Sequence, residues 1–324
     1  MHLPVMLEET LERLDVRPGG VYVDATLGGG GHSDEIRRRA GEGARLLGID
    51  RDEAALARAA KRLAALPGEK VFVHGNHGDL GRIADENGFQ AVDGVLIDTG
   101  VSSDQLDTAE RGFSFRNDGP LDMRMDPSRG ETAADLIARL DVAGLAEIFR
   151  KYGEEPRAGH VARAVAKARD LAPITTTGQL ADIVSRSLGA PGRSRGHHPA
   201  TRVFQALRMA VNGELEALQA ALEAAIARLR PGGRLAVITF ESLSDRLVKQ
   251  CFAAHAGRMV SLQQGGSRWE GALPRLERVD RHAVAPGKAE AASNPRARSA
   301  KLRAVRMPLA GEVPEAAKTK MEDL

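Results

Sequence analysis

The sequence has almost no cysteine, since Cys251 is the single one among 324 residues. One cysteine cannot form an internal disulfide. The nine histidines form no spacing with Cys251 that resembles a zinc site. We therefore expect a protein of the cytosol that binds no metal.

The sequence also lacks a long apolar run and a charge of one sign. No apolar stretch approaches the roughly 20 residues needed to cross a bilayer. Residues 1–4 lack the basic segment that opens a secretory signal. The formal net charge is only +2, from 46 basic and 44 acidic residues, so the overall balance does not indicate nucleic acid. These absences predict a soluble globular protein without a membrane partner.

What the sequence contains is an alternation of short apolar runs with charged helical patterns. The first two apolar runs are each followed by a stretch whose pattern is typical of a helix, residues 33–39 and 53–66. Strands that alternate with helices form a parallel sheet covered on both faces, which predicts a Rossmann-like α/β fold. The predicted strands are residues 21–24, 45–50, 71–73, 94–98 and 234–240.

The alternation stops between residues 102 and 212, where short helical patterns are separated by segments rich in glycine, proline and arginine. It resumes with a helical leucine pattern from Glu214 and the apolar strand that follows Gly233. We therefore predict a discontinuous domain of residues 1–103 and 213–324, interrupted by a mainly helical insertion of residues 104–212.

A glycine cluster at residues 28–31 follows the first predicted strand, and Asp50 ends the second. A glycine turn lets a cofactor approach the backbone, and an acid about 20 residues later can bind ribose hydroxyls. Two kinds of cofactor are candidates for this turn, a dinucleotide such as NAD and the cofactor of class I methyltransferases. Gly28 and Gly30 fit the G-x-G-x-x-G pattern of dinucleotide enzymes, but Ser33 occupies the third glycine position and opposes NAD. Residues 24–32 instead resemble the first motif of class I methyltransferases.

Eight ordered blocks extend that resemblance to a specific family. The sequence resembles the ribosomal RNA small subunit methyltransferase H family, which methylates the N4 amine of a cytosine in bacterial small-subunit (16S) ribosomal RNA. The matching blocks are VDAT (23–26), GGHS (30–33), DTGVSSDQLD (98–107), RGFSF (111–115), LDMRM (121–125), YGEE (152–155), HPATRVFQALR (198–208) and NPRARSAKLR (294–303).

The resemblance implies a class I methyltransferase sheet that binds S-adenosylmethionine, with the insertion recognising the substrate. It also implies a decoding-region cytosine in the assembled small subunit as the target. The oligomeric state stays open. The cofactor contacts that carry over are Gly30, Gly31, His32, Asp50, Asp98 and Gln105, with a looser match at His77.

One departure from the family pattern follows the fifth strand. The family has Ser-Phe-His-Ser-Leu-Glu-Asp-Arg where this chain has TFESLSDR, so Glu241 and Ser244 replace a histidine and a glutamate. The exchange puts an anion near the expected mouth of the site. It is either a structural substitution or the sign of a non-catalytic or retargeted RNA-binding protein that keeps the fold.

Asp98 ends the fourth predicted strand, where open α/β sheets place their ligands. It is the candidate for accepting a proton from the cytosine amine, and cofactor binding alone is its alternative role. Many amine methyltransferases carry Asp/Asn-Pro-Pro-aromatic here, with the aromatic ring stacking on the base, but this chain has DTGV. The sequence therefore does not assign the stacking residue, and the candidates are Phe113, Phe115, Phe204 and Phe240.

Two basic segments predict contacts with RNA phosphates. Residues 183–213 contain five arginines and no acid, including Arg193 and Arg195, and residues 281–306 contain seven Lys or Arg against Glu290 alone. The candidate phosphate contacts are Arg202, Arg208, Arg296, Arg298, Lys301 and Arg303.

Overall fold

The computed structural model describes residues 4–189, 198–261 and 267–309. The chain divides into two compact units. The first consists of Met1–Gly100 and Leu215–Leu324, and the second of Val101–Glu214. The expected insertion, residues 104–212, lies within the range of the second unit.

The first unit is built on a seven-stranded sheet with the order β3-β2-β1-β4-β5-β9-β8. The first five strands run parallel, and β9 is antiparallel to both β5 and β8. A separate hairpin pairs β6 with β7. The strands are β1 (Val21–Asp24), β2 (Arg45–Asp50), β3 (Glu69–His74), β4 (Val92–Asp98), β5 (Leu229–Thr239), β6 (Arg258–Ser261), β7 (Ser267–Glu270), β8 (Glu277–Arg278) and β9 (Lys301–Arg306).

Helices cover both faces of this sheet. Neighbouring strand residues such as Leu46 and Leu47 belong to two different apolar clusters, because successive side chains of a strand point to opposite faces. One cluster packs α1 (Leu7–Leu14), α2 (Gly31–Ala40) and α3 (Glu53–Leu63), and the other packs α4 (Leu80–Glu86), α11 (Glu214–Arg228) and α12 (Ser242–Ala256). A short α13 (Lys288–Ser293) precedes β9. The predicted Rossmann-like α/β fold is confirmed.

The second unit is helical. Its helices are α5 (Ser103–Asp107), α6 (Ala133–Arg139), α7 (Val142–Lys151), α8 (Ala158–Leu171), α9 (Thr177–Leu188) and α10 (Thr201–Asn212). Its core contains fully buried residues such as Leu145, Phe149 and Val161. Capping boxes fix the starts of α5, α6 and α9. In residues 101–189 and 198–214 the only β pairing is an isolated bridge between Pro120 and Thr176.

Across the described ranges of both units, no helix has the length and apolar character that a membrane crossing requires.

Candidate functional site

Three aspartates end three adjacent strands of the first unit. Asp50 is the last residue of β2, Asp24 of β1 and Asp98 of β4, and these strands are neighbours in the sheet. The carboxyl ends of parallel strands lie at one edge of the sheet, which is where α/β folds place their ligands. The structure therefore brings three carboxyl groups together at this edge.

The glycine turn between β1 and α2 lies beside them. Gly28 and Gly30 have φ angles of +53° and +74°, in the left-handed region that favours glycine. A Cβ atom at Gly29 would meet nothing within 4 Å, so the turn has an open side. At Gly31 a Cβ atom would lie 2.5 Å from Pro4 Cγ. Gly31 is therefore required for close packing against Pro4, whatever its part in ligand binding.

Asp50 holds this turn in place. Its carboxylate accepts a hydrogen bond from the Gly28 backbone N–H at 2.7 Å and another from the Asp52 backbone N–H at 2.9 Å. Burial raises the pKa of Asp50, and the two backbone donors oppose that shift. Because each carboxylate oxygen has more than one lone pair, Asp50 keeps the capacity to accept ligand hydroxyls.

Asp98 has a strongly raised pKa. Burial, followed by the negative charge of Asp24, raises the pKa of Asp98 to about 8. Its Oδ1 atom is buried and has no hydrogen-bond partner among the described residues, although 25% of the side chain is exposed. The backbone N–H of Asp98 donates to Thr26 Oγ1 at 2.6 Å. The backbone of Asp98 is thus anchored to Thr26, while one carboxyl oxygen lacks a partner in the described part of the chain.

Asp24 was part of the glycine motif in the sequence, but it was not among the predicted site residues. Burial, together with the negative charge of Asp50, raises the pKa of Asp24 to about 6, against hydrogen bonds from Ser33 and Thr26. Ser33 Oγ donates to Asp24 Oδ2 at 2.6 Å. The spacing of Asp24 and Ser33 across the glycine turn was the signal that could have identified this pair.

His32 lies between the N-terminal segment and Asp98. Its Nε2 atom is 3.0 Å from the Val5 carbonyl oxygen, which only accepts, so Nε2 carries the proton. Its Nδ1 atom is 3.7 Å from Asp98 Oδ2. The buried ring therefore lies beside the Asp98 carboxyl without a hydrogen bond to it, and this closeness of residues 66 positions apart in the chain was not predicted.

His77 follows β3 in a 3-10 turn, His77–Asp79, which is capped by Asn76. Burial, followed by the positive charge of Arg51, lowers the pKa of His77 to about 3, so the ring is neutral at physiological pH. Its Nε2 atom is buried without a hydrogen-bond partner in the described part of the chain. His77 is thus a neutral ring with an unused polar atom at the end of β3, the strand beside β2.

Gln105, the remaining predicted cofactor contact, belongs to the second unit. Its side-chain oxygen accepts the Ser102 backbone N–H at 3.0 Å, while Ser102 Oγ accepts the Gln105 backbone N–H at 3.2 Å. This reciprocal pair is a capping box at the start of α5. The structure therefore gives Gln105 a helix-capping role that the sequence analysis did not foresee.

Glu241, the residue that departs from the family pattern, caps α12. Its carboxylate accepts the backbone N–H groups of Leu243 at 2.7 Å and of Ser244 at 3.0 Å. Ser244 itself is 3% exposed. A carboxylate suits a helix N-terminus because unpaired N–H groups and the helix dipole favour negative charge there. The substitution therefore has a structural explanation.

The four candidate phenylalanines lie in different surroundings. Phe113 and Phe204 belong to the core of the second unit, and the Phe115 ring contacts Phe204 and His198 at centroid distances of 4.8 and 4.5 Å. Phe240 directly follows β5 in the first unit. A Cβ atom added to Gly100 would lie 3.4 Å from the Phe240 ring, so this ring packs beside the loop that follows Asp98.

The predicted phosphate contacts in the second unit have partners within the protein. Arg208 forms a two-pronged ion pair with Glu214 at 2.7 and 2.9 Å, and both side chains are largely buried. Arg202 donates to the Glu154 carbonyl oxygen at 3.2 Å and is otherwise exposed. Arg193 and Arg195 lie outside the described residues. Arg202 is thus the more accessible of these two predicted phosphate contacts.

In the first unit, Lys301 and Arg303 both bind Asp245, at 3.0 and 2.7 Å. Burial raises the pKa of Asp245, but hydrogen bonds from Arg303 and Lys301 outweigh this effect and the net shift is downward. Arg296 and Arg298 lie in the turn before β9, and Arg298 is exposed, with Nε donating to the Ala291 carbonyl oxygen at 3.0 Å.

Comparison with known proteins gives matches along most of the chain. The family model described as the MraW methylase family matches residues 1–307. Ribosomal RNA small subunit methyltransferase H of Symbiobacterium thermophilum is 50% identical over 311 residues, which is 96% of this chain and 98% of that protein. The protein of the same name from Carboxydothermus hydrogenoformans is 48% identical over 303 residues, covering 94% of this chain and 96% of its own.

Similar solved structures include an rRNA methylase from Streptococcus thermophilus, with a TM-score of 0.35, 11% identity and coverage of 93% of each chain. A SAM-dependent O-methyltransferase from Thermotoga maritima gives a TM-score of 0.38 and 10% identity, covering 97% of this chain and 69% of its own.

Proposed function

The chain belongs to the MraW methylase family, and from that premise we propose that it transfers a methyl group from S-adenosylmethionine to the N4 amine of a cytidine in small-subunit ribosomal RNA. The relatives that are about half identical across nearly the whole chain carry a name that specifies small-subunit ribosomal RNA. We further propose that the enzyme acts in the cytoplasm, on a decoding-region cytidine of the assembled subunit.

The observation that supports this cofactor most directly is the row of Asp50, Asp24 and Asp98 at the ends of adjacent strands. An acidic edge beside an open glycine turn suits a ligand that carries a positive charge and ribose hydroxyls. The pyrophosphate of a dinucleotide would be repelled there by the carboxylates that are ionised at neutral pH, among them Asp24 with a pKa of about 6, because like charges destabilise each other at short range. This favours S-adenosylmethionine over NAD.

The residues that would hold the cofactor are Gly30, His32, Asp50, His77 and Asp98. Asp50 would accept hydrogen bonds from ribose hydroxyls, and the neutral ring of His77 would lie near the end of β3. The buried Oδ1 of Asp98, which lacks a partner among the described residues, would gain one. When bound, S-adenosylmethionine supplies an electrophilic methyl group on a positively charged sulfur. We keep Gly31 as a contact in this proposal, in addition to its packing role.

We assign to Asp98 the role of accepting a proton from the N4 amine. The lone pair of a cytosine N4 is delocalised into the ring, so a proton acceptor helps to localise it as the new bond forms. In the free protein the raised pKa keeps Asp98 protonated at neutral pH. A positive charge placed beside Asp98 would favour its ionisation. The carboxylate would therefore become a proton acceptor only when the cationic cofactor is bound.

Phe240 is the aromatic residue we assign to the target base. The base must be unstacked, because N4 of a paired cytosine is already hydrogen-bonded to its partner, and extruded bases stack on aromatic side chains. Of the four candidates, Phe240 is the one within the same unit as Asp98, and it packs beside the loop that follows it.

The test is transfer of labelled methyl groups to four acceptors: isolated small subunits, free small-subunit RNA, large subunits and transfer RNA. We expect incorporation into isolated small subunits alone, and a loss of roughly 10²–10⁴ in the single-turnover rate of Asp98→Asn at saturating cofactor. Cofactor binding without methyl transfer to any of the four would instead support the non-catalytic RNA-binding alternative.

A further inference from the structure

A basic pocket lies near the far edge of the sheet, away from the glycine turn. It opens between α12, β8, β9 and the loop that follows β8. Its charged walls include Lys249, Arg278, Arg281 and Arg303, with His282 beside them. Phe252 and Ala304 supply apolar surface. A cavity of about 130 Å³ with four cations in its lining is suited to an anion.

The acidic groups near this pocket are already engaged. Asp280, the acid of the lining, accepts two hydrogen bonds from Arg13 of α1 at 3.2 and 3.3 Å. Asp245 binds Arg303 from the lining and Lys301 beside it. The pocket therefore gains little neutralisation from its own carboxylates.

The other three cations have exposed side chains and no internal partner. Within residues 4–189, 198–261 and 267–309, the side chains of Lys249, Arg278 and Arg281 make no hydrogen bond or ion pair. Three positive charges that share one pocket repel each other at short range. An anion that joined them would remove this repulsion.

Phosphate is the anion that these groups recognise best. An arginine fork matches two phosphate oxygens and a lysine supplies a point charge, whereas apolar surface beside them suits the sugar of a nucleotide. The exposure of the three cations favours a phosphodiester that runs across the surface over a free phosphate. A free dianion would need donors that enclose it.

The register of the sheet relates this pocket to the acidic edge. Asp98 of β4 is paired with Ile238 of β5, and Ile238 is paired with Leu302 of β9, next to Arg303. Because neighbouring strands lie about 4.8 Å apart, β9 is roughly 10 Å from β4. A nucleotide chain with one base at Asp98 could therefore place a nearby phosphate in the pocket.

We propose that this pocket binds a backbone phosphate of the RNA substrate, close to the nucleotide that is methylated. The proposal rests on the RNA substrate of the proposed function and adds the residues that hold the strand. Lys249, Arg278 and Arg281 make the phosphate contacts, while Arg303 is oriented by Asp245.

The variant Arg278→Gln/Arg281→Gln tests this site. Its control is Arg58→Gln/Lys61→Gln, which removes two exposed cations from α3 on the opposite face of the sheet. Binding of labelled small-subunit RNA is measured between 0.05 and 0.3 M salt. Two lost contacts should reduce the slope of log affinity against log salt by about 1.4 and weaken binding by roughly 10–30-fold at 0.1 M salt. The control variant should retain wild-type binding.

Thermal midpoints and S-adenosylmethionine affinity should be equal in the two variants, which shows that both are folded. If the wild type methylates RNA and both variants bind it equally well, the pocket proposal is overturned while the proposed function stands. If the wild type binds S-adenosylmethionine but neither free small-subunit RNA nor isolated small subunits, both fail. Titration with inorganic phosphate separates the sources: saturable binding lost only in the pocket variant, with RNA binding unchanged, would indicate a free-anion site and contradict our proposal.

Discussion

Replacing Asp98 with asparagine should remove most of the pH dependence of S-adenosylmethionine binding between pH 6 and pH 9. In the wild type, burial and Asp24 raise the pKa of Asp98 to about 8. At pH 7 the carboxyl is therefore about nine-tenths protonated, and at pH 9 about nine-tenths ionised. A cationic ligand favours the ionised form, so its affinity should increase as the pH rises.

The expected magnitude follows from the ionised fraction. If the ionised form binds the cofactor much more tightly, the apparent dissociation constant scales inversely with that fraction. The fraction rises from about one-tenth to about nine-tenths, so affinity should increase up to roughly tenfold between pH 7 and pH 9. Binding at pH 7 should also release up to about 0.9 proton, which calorimetry in buffers of different ionisation enthalpy measures directly.

The Asp98→Asn variant measures the part of the pH dependence of cofactor binding that comes from groups other than Asp98. The amino group of the cofactor titrates in the same range, with a pKa near 8 for α-amino groups, and it contributes equally in both proteins. A second variant, Asp24→Asn, should shift the wild-type midpoint to lower pH, because it removes the negative charge that raises the pKa of Asp98. If wild type and Asp98→Asn show the same pH dependence and proton release, the reasoning is refuted.

Three further predictions follow from the same contacts. Asp50→Ala should weaken cofactor affinity at least tenfold in calorimetry. Asp50→Asn should weaken it less, because asparagine keeps an oxygen that can accept the Gly28 backbone N–H. Equal affinity in the wild type and both variants would remove Asp50 from the site. Glu241→Ala should lower the free energy of unfolding in urea by about 0.5–2 kcal/mol through loss of the α12 cap, and an unchanged midpoint would contradict the capping role. Wild-type thermal stability should decline from pH 5 to pH 8.5, since an aspartate with a raised pKa in the folded state loses its proton on unfolding; Asp98→Asn should decline less.

The parallel strands β1, β2 and β4 could be predicted because they are largely buried on both faces and therefore read as apolar runs, and the edge strand β3 could be predicted from its apolar residues 71–73 although it is only half-buried. The terminal aspartates of β1, β2 and β4 could be predicted for the same reason, since each acid ends such a run. The two antiparallel strands β9 and β8, which follow β5 in the sheet order, were not predicted. In β9, Lys301 and Arg303 alternate with Leu302 and Ala304, and the charges hid the strand. The acid that pairs with them, Asp245, is 56 and 58 positions away in the chain.

The features of the candidate site that could not be predicted also depend on residues that are distant in the chain. The closeness of His32 to Asp98 depends on strand order, which the local pattern does not encode. The raised pKa of Asp98 depends on burial by distant elements. The capping role of Gln105 was available from the sequence, because Ser102 followed three residues later by glutamine is the signature of a capping box. The family resemblance drew attention to a cofactor role instead.

The central claim is the position of the methyl group, and nucleoside mass spectrometry of reacted small-subunit RNA tests it most directly. After incubation with the protein and S-adenosylmethionine, we expect N4-methylcytidine at a single cytidine, and far less of it with Asp98→Asn in the same time. A methyl group on cytosine C5, on a ribose 2′-oxygen or on another base would contradict the proposed function, even if the enzyme proved to be an active RNA methyltransferase.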